Sequence, residues 1–284
     1  MENFSKGVCP YPVLKISQYP IPERYLAMME ENCNEVLILE EGYPFVEEAV
    51  KGLFTKKMVI KGRMDGTLPR DGELNPDIVA KALGEKVAKG LAIPDLVVAR
   101  PPALCQGCGH RDMFKALNSV MKRYTPGRVF SDIGCYTLGA LPPYRCIYSC
   151  VDMGASITMA KGASDAGLTP SVAVIGDSTF IHSGITGLLD AVNDDANIVV
   201  IIADNEAVSM TGGQESSALG KIESICTGVG VDPAHIRVLT PLPKNHESME
   251  KAIEEELNFK GVSVIVFRRE CIQALSKRRK KINS

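Results

Sequence analysis

No apolar run in the 284 residues reaches the roughly 18–20 positions that a membrane-spanning helix needs. The opening MENFSKGVCPYP has no apolar stretch behind it and does not read as a secretory signal. An excess of one charge is also missing. Thirty-two Lys and Arg stand against 34 Asp and Glu, a net charge of −2. That balance supplies no global field for nucleic acid or an anionic membrane, and neither is expected as a partner. Internal repeats and low-complexity blocks are absent, which excludes solenoids and disordered tracts. What remains is a globular chain with 45% hydrophobic residues, long enough for one or two domains. Its nine cysteines are an odd number without a secretory context, which argues against a disulfide scaffold. A reducing, cytoplasmic compartment is expected, and so many thiols invite a metal reading. The basic stretch at 277–281, KRRKK, reads as a solvated helix end.

Strands and helices alternate along most of the chain, the pattern of an α/β fold with a parallel sheet covered on both faces. Before about residue 89, EVLILEE at 35–41 reads as a short strand, and residues 44–54 and 76–89 as helices. The segment 61–77, rich in Gly, Pro and charge, reads as irregular. AIPDLVVARPP at 92–102 carries three prolines and marks a boundary, giving expected domains 1–92 and 93–284. In the second domain, helices are expected at 111–123, 154–166, 217–227 and 248–256. Strands are expected at 128–132, 147–151, 172–175, 198–203 and 263–268, followed by a terminal helix.

The most informative segment is 172–214, VAVIGDSTFIHSGITGLLDAVNDDANIVVIIADNEAVSMTGGQ. Its two β-branched runs look like buried parallel strands. The first ends at Asp177, the second at Asp204 and Asn205. Ligands of open α/β sheets sit beyond the strand carboxyl ends. A carboxylate and an amide at neighbouring tips make a hard oxygen site, suited to Mg²⁺ that keeps contact with a phosphate. Gly176 lets the backbone approach a diphosphate. Ser178 and Thr179 then open a helix whose first N–H groups face an anion.

Cysteines form a second constellation. Cys105 and Cys108 form a CxxC in a loop before a helix, Cys135 follows a strand, and Cys271 lies beyond the last strand. All four are expected at one edge of the sheet. Four thiolates suit a [4Fe–4S] cluster or Zn²⁺, while CxxC alone also suits a redox dithiol or plain buried cysteines. Cys9, Cys33, Cys146, Cys150 and Cys226 read as small core residues.

The GD…N pattern at 176–205 resembles the GDG…N signature of thiamine-diphosphate enzymes, with Ser178 at the third glycine. GDSTF, CQGCGHRDMF, SDIGCYTLG, DMGASITMAKG and the MTG stretch are similar to the large subunit of the indolepyruvate ferredoxin oxidoreductase family, within the 2-oxoacid:ferredoxin oxidoreductases. LEEGYPFVEEAV and GTLPRDGELNPD resemble the end of that subunit's middle, transketolase C-terminal-like domain. The resemblance implies a thiamine-diphosphate-binding fold preceded by a partial smaller α/β domain. It implies oxidative decarboxylation of a 2-oxoacid, with electrons passing through a [4Fe–4S] cluster to ferredoxin and the acyl group to coenzyme A. In that reading Asp177, Asn205 and the Ala207 carbonyl hold Mg²⁺, and Gly176, Ser178 and Thr179 offer N–H groups to the diphosphate. Gly134, Tyr136, Met153, Gly154 and Ser156 line the thiamine slot, and Met210, Thr211 and Gly212 cover the diphosphate. Cys105, Cys108, Cys135 and Cys271 hold the cluster, and His110 faces the substrate carboxylate.

Three positions depart from the family pattern. Gln106 and Gly109 stand where the first motif usually has prolines. Gly213 replaces a histidine common in indolepyruvate enzymes and is more like the 2-oxoglutarate branch. The domain that grips the pyrimidine ring and the ferredoxin-like domain have no counterpart here. The chain is therefore expected to need a partner carrying the pyrimidine domain. Two other readings stay open: a non-redox thiamine-dependent decarboxylase or carboligase component, and a non-catalytic nucleotide-binding module.

Overall fold

A computed structural model describes residues 10–51, 58–87, 90–98 and 100–282, without the side chains of 280–282. The chain divides into two compact units, 1–98 and 99–284, so the break falls just after the proline-rich boundary begins.

The first unit holds α1 (Glu23–Asn32), β1 (Glu35–Leu37), α2 (Phe45–Val50), β2 (Val59–Lys61) and α3 (Pro76–Ala82). β1 and β2 pair in parallel. Three-residue strands cannot carry a core, and buried polar braces hold the unit instead. Glu47 is fully buried, and its carboxylate accepts the N–H groups of Arg63 and Met64. The Arg63 guanidinium donates to the carbonyls of Glu40, Pro69 and Gly72. Each such charge-assisted bond contributes about 1.5–3 kcal/mol. Glu40 accepts from the first amides of α2, Val46 and Glu47, and Glu41 from Leu74. The two motifs LEEGYPFVEEAV and GTLPRDGELNPD thus brace each other. β1 is shorter than the expected 35–41 because Glu40 turns away to cap α2 and Glu41 to meet the Leu74 amide. Asn75 caps α3 by accepting from the Ile78 amide. α3 ends well before residue 89, where the amides of Gly84 and Glu85 return to the carbonyls of Lys81 and Ala80.

The second unit contains α4 (Gly109–Met121), β3 (Arg128–Ser131), β4 (Ser149–Cys150), α5 (Ala155–Asp165), β5 (Ser171–Gly176) and α6 (Asp177–Thr179). A π-turn, Phe180–Gly184, joins α6 to α7 (Ile185–Asn193). There follow β6 (Ile198–Asp204), β7 (Ala207–Val208), β8 (Gln214–Glu215), α8 (Ile222–Gly228), β9 (Ile236–Leu239), α9 (His246–Asn258), β10 (Val262–Arg268) and α10 (Ile272–Ile282). Six strands form one parallel sheet in the order β4-β3-β5-β6-β10-β9.

Alternation along the central strands divides the core in two. Val172, Val174, Val199, Ile201, Ile265 and Phe267 face one layer with Met113, Phe114, Leu117 and Val120 of α4 and Met249, Ile253 and Leu257 of α9. Ala173, Ile175, Val200, Ile202, Val264 and Val266 face the other, with Ile157, Leu188, Ile222 and Cys226 from α5, α7 and α8. The apolar positions of α4 fall three and four apart, one face of a 3.6-residue helix. Burying each such side chain contributes about 1.5–3 kcal/mol. Among the described residues no helix is long and apolar enough to cross a membrane.

Candidate functional site at the sheet's carboxyl edge

In register, Gly176 at the tip of β5 lies beside Ala203 of β6, which brings Asp177 and the Asp204–Asn205 pair to neighbouring tips. Asp177 is buried, and its Oδ2 has no hydrogen-bond partner. Burial pushes its carboxyl up to about 6; bonds from Ser216 and the Ser178 amide oppose this, and the Asp204 charge adds to it. A buried carboxylate oxygen without a partner is an electrostatic cost that a cation removes. Asn205 is nearly buried, with Nδ2 donating to Ser209 at 3.2 Å and Oδ1 accepting the Ala207 amide at 3.2 Å. Asp204 is not available as a third ligand. Its Oδ2 takes the Arg268 Nε at 2.6 Å, and Arg268 forks onto Glu223 with two bonds of 2.8 Å. The donor set fits Mg²⁺ in chemistry: one carboxylate oxygen without a partner and one amide oxygen.

Asp132, at the end of β3, organises the neighbouring tip. It is fully buried and accepts from the Tyr136 hydroxyl, the Gly154 amide at 3.1 Å, and the Ser156 amide and hydroxyl at 3.2 and 2.6 Å. The carboxylate thus caps α5. Tyr136 is buried, and its ring fills the space where a Cβ on Gly176 would sit. Gly176 is therefore required by that ring as well as by any diphosphate. Gly154 holds φ +94°, and a Cβ there would strike Ser183 of the π-turn. Ser183 donates to the Met153 carbonyl, while His182 is exposed and bonded to Ser183 at 2.9 Å. π-turns of this kind recur at functional sites. Gly134, Tyr136, Met153, Gly154 and Ser156 thus form one connected knot, with Met153 partly exposed beside it.

Thr179 is buried and donates to the Ile133 carbonyl; Ser178 donates to Ser216 at 3.0 Å. Met210, Thr211 and Gly212 form the exposed end of the β7–β8 hairpin. Lys277 of α10 donates to the Gly212 carbonyl at 3.0 Å. Sequence reasoning does not single out Asp132 or Ser216. The strand-end position of Asp132 is its one signal in the chain; its α5 partners lie more than twenty residues away.

The thiols of Cys105, Cys108, Cys135 and Cys271 are brought into mutual influence. Burial pushes Cys135 up to about 11, and the charges of Cys108, Cys271, Cys105 and Asp177 add to it. Cys108 is raised by burial, then by Cys105 and Cys271, with the Arg269 cation opposing. The Gln273 side-chain amide lies 3.5 Å from the Cys105 sulfur. Beyond the paired strands, the Arg269 and Cys271 amides donate to the Asp204 and Asn205 carbonyls, both at 2.9 Å. Among the described residues, however, no group of three or more His, Cys, Asp or Glu is arranged to hold a metal ion. Like-charge neighbours with one opposing cation suit a positively charged iron core in sign.

His110 lies in the first turn of α4 and is 5% exposed; burial pushes it down to about 4, so it is a neutral imidazole at pH 7. His235 stacks on Phe259 and bonds Glu256, a brace for β9. Cys146 and Cys226 are core residues, but Cys150 is exposed, its sulfur near the Asp132 carbonyl at 3.5 Å. Cys9 lies outside the described residues.

A parallel sheet with a carboxylate and an amide at adjacent tips fits a thiamine-diphosphate-binding fold, and the family match identifies it as one. Residues 132–267 match the family described as "Thiamine pyrophosphate enzyme, C-terminal TPP binding domain", and this segment belongs to it. The chain is a relative of the indolepyruvate oxidoreductase subunits. It is 34% identical to "Indolepyruvate oxidoreductase subunit IorA" of Archaeoglobus fulgidus, over 99% of this chain and 48% of that protein. Against the Pyrococcus abyssi subunit of the same name the identity is also 34%, over 93% of this chain and 46% of the relative. The chain thus spans about half the length of the curated relatives it matches. A solved structure of 2-oxoglutarate:ferredoxin oxidoreductase from Magnetococcus marinus, with 2-oxoglutarate, coenzyme A and succinyl-CoA bound, superposes with a TM-score of 0.51 at 15% identity. The superposition covers 64% of this chain and 70% of that one. At that identity the likeness is one of fold.

Proposed function

We propose that the chain is the thiamine-diphosphate-binding part of a 2-oxoacid:ferredoxin oxidoreductase, acting on indolepyruvate or a similar arylpyruvate. The observation that carries this reading is the buried, unpartnered Asp177 Oδ2 beside the Asn205 amide, at adjacent strand tips within the segment that matches the TPP binding domain. Asp177, Asn205 and the Ala207 carbonyl are the groups that would hold Mg²⁺, which would supply positive charge to a diphosphate met by the amides of Gly176, Ser178 and Thr179. Thiamine diphosphate, when bound, supplies the carbon nucleophile and electron sink for decarboxylating a 2-oxoacid. The Asp132–Tyr136–Ser156 knot fixes the slot formed by Gly134, Met153 and Gly154, and the Met210–Gly212 tip closes over the phosphates. His110, neutral and buried, offers an N–H to the substrate carboxylate. The thiols of Cys105, Cys108, Cys135 and Cys271 are the residues that would hold a [4Fe–4S] cluster, which would supply one-electron transfer towards ferredoxin, with coenzyme A as acyl acceptor.

Glu40 and Glu41 cannot supply the carboxylate that thiamine enzymes place on the pyrimidine, because both are committed to backbone amides within the first unit. A partner subunit or domain supplies it. The test is anaerobic purification with co-purifying partners, followed by iron and thiamine analysis and by calorimetry with thiamine diphosphate and Mg²⁺. Iron with broad absorption near about 400 nm, together with Mg²⁺-dependent thiamine binding, is expected. Thiamine binding in a colourless, iron-free protein would leave a non-redox decarboxylase component. No thiamine binding at all would leave a nucleotide-binding module.

A further inference from the structure

A cavity of about 380 Å³ opens at the opposite end of β3 from Asp132. Four residues of extended strand separate Arg128 from Asp132, roughly 13 Å, so the cavity and the Asp177 site lie at different edges of the sheet. Its volume falls within the roughly 300–1,000 Å³ of small-molecule pockets.

The lining is electrically one-sided. Lys122, Arg128 and Arg145 contribute to it, and no Asp or Glu does. Among the described residues none of these three cations forms an ion pair, although the chain as a whole carries a net charge of −2. The Arg128 guanidinium lies over the Tyr148 ring, 4.8 Å from its centre, and its Nη1 is fixed by the carbonyls of Pro126 and Gly127. Tyr148 is exposed, and its amide is pinned to the Val129 carbonyl at 2.9 Å. Tyr144 is held by Arg111 on its hydroxyl and by Asn118 on its carbonyl. Arg145 has φ +46°, a left-handed conformation that a non-glycine residue rarely holds unless its surroundings impose it. The turn fixes it there, with the Arg145 amide on the Leu141 carbonyl at 3.1 Å and the Cys146 amide on Gly139 at 2.9 Å.

We infer that this cleft binds a nucleotide, with phosphates met by Lys122, Arg128 and Arg145 and a planar base stacked at Tyr148. Uncompensated cations in a concave site select multiply charged anions, and the guanidinium fork suits phosphate oxygens. An exposed ring already faced by an arginine is a stacking platform for a base. The site is independent of the thiamine reading, because it shares no residue with the Asp177 edge.

The test is calorimetric titration of ADP into the full chain without Mg²⁺ or thiamine diphosphate, so that the Mg²⁺-dependent Asp177 edge is silent and no other diphosphate competes for the cleft. Lys122→Ala and Arg145→Ala should each weaken ADP binding about tenfold or more, since each removes one cation from the phosphates. Tyr148→Ala should weaken ADP binding about tenfold and leave that of inorganic pyrophosphate unchanged. All three side chains are at the surface, and an unchanged thermal midpoint certifies the fold. The inference fails if ADP at about 1 mM gives no saturable binding, as it would if the cleft seats an acidic segment of another chain. It fails equally if binding ignores the cation substitutions. Pyrophosphate binding as tightly as ADP would reduce the cleft to a bare anion seat and overturn the nucleotide assignment.

Discussion

The oxygen tips and the thiol corner share one edge of the sheet but are built in opposite ways. At the tips, almost every polar atom is already committed: Asn205 by Ser209 and Ala207, Asp204 by Arg268, and Asp132 by four donors. One oxygen, Asp177 Oδ2, is left over. At the corner, burial and then the neighbouring thiols raise Cys135 and Cys108, and among the described residues no ion-holding geometry is formed. Hydrogen bonds from rigid strands preorganise hard oxygen donors before a ligand arrives. Buried thiols such as Cys135 and Cys108 keep their protons until a cation displaces them, so their arrangement depends on that cation.

The sharpest way to break this contrast is Asp177→Ala. Loss of an outer-sphere partner costs about 10–100-fold in metal affinity, so loss of a direct ligand should weaken Mg²⁺-dependent thiamine binding by about 100-fold or more, read by calorimetry. Unchanged binding would show that the tips are not the preorganised half. Next is Cys135→Ser. Iron content and visible absorption should vanish, while thiamine affinity changes by less than about threefold, because the tips do not rely on the thiols. Joint loss of both would erase the distinction between the two regions.

Asp132→Asn keeps the shape but weakens the acceptor shared by Tyr136, Gly154 and Ser156. A loss of about 2–3 kcal/mol in urea unfolding is expected, with little effect on iron. The smallest effect concerns protons. Burial holds the metal-free Asp177 carboxyl at about 6, above the ordinary value of 3.8 it regains on unfolding. The folded state then binds more protons than the unfolded between these values. Its contribution is complete below about pH 4 and is lost as pH rises through 6. Asp177→Asn should flatten that part of the profile in metal-free protein.

The central strands are legible in the chain because burial on both faces writes them as continuous β-branched runs, as in Val172–Ile175 and Ile198–Ala203. Helices with a single buried face, such as α4 and α9, are legible within two residues. β9 reads as loop because it is a four-residue edge strand, with Arg237 and Val238 exposed and Ile236 and Leu239 only partly buried. The helix expected at 217–227 begins only at Ile222, since Ser216 and Ala218 are drawn into the turn beneath Asp177. The roles of Asp132, Ser216 and Arg63 are hidden for one reason: a hydrogen bond across distant segments leaves no periodicity in the chain. Cys150 reads as a core residue, but β4 is the outermost strand of the sheet and leaves it exposed.

The amides of Arg269 and Cys271 continue the β10–β6 ladder past the last paired strand residues, rung by rung, onto Asp204 and Asn205. The short span from Arg268 to Cys271 therefore acts as a ruler. One residue inserted or deleted there slips the amide at 271 off the carbonyl at 205 and carries its sulfur out of step with the other thiols. Within this stretch a substitution at Glu270 should cost less than any change in length.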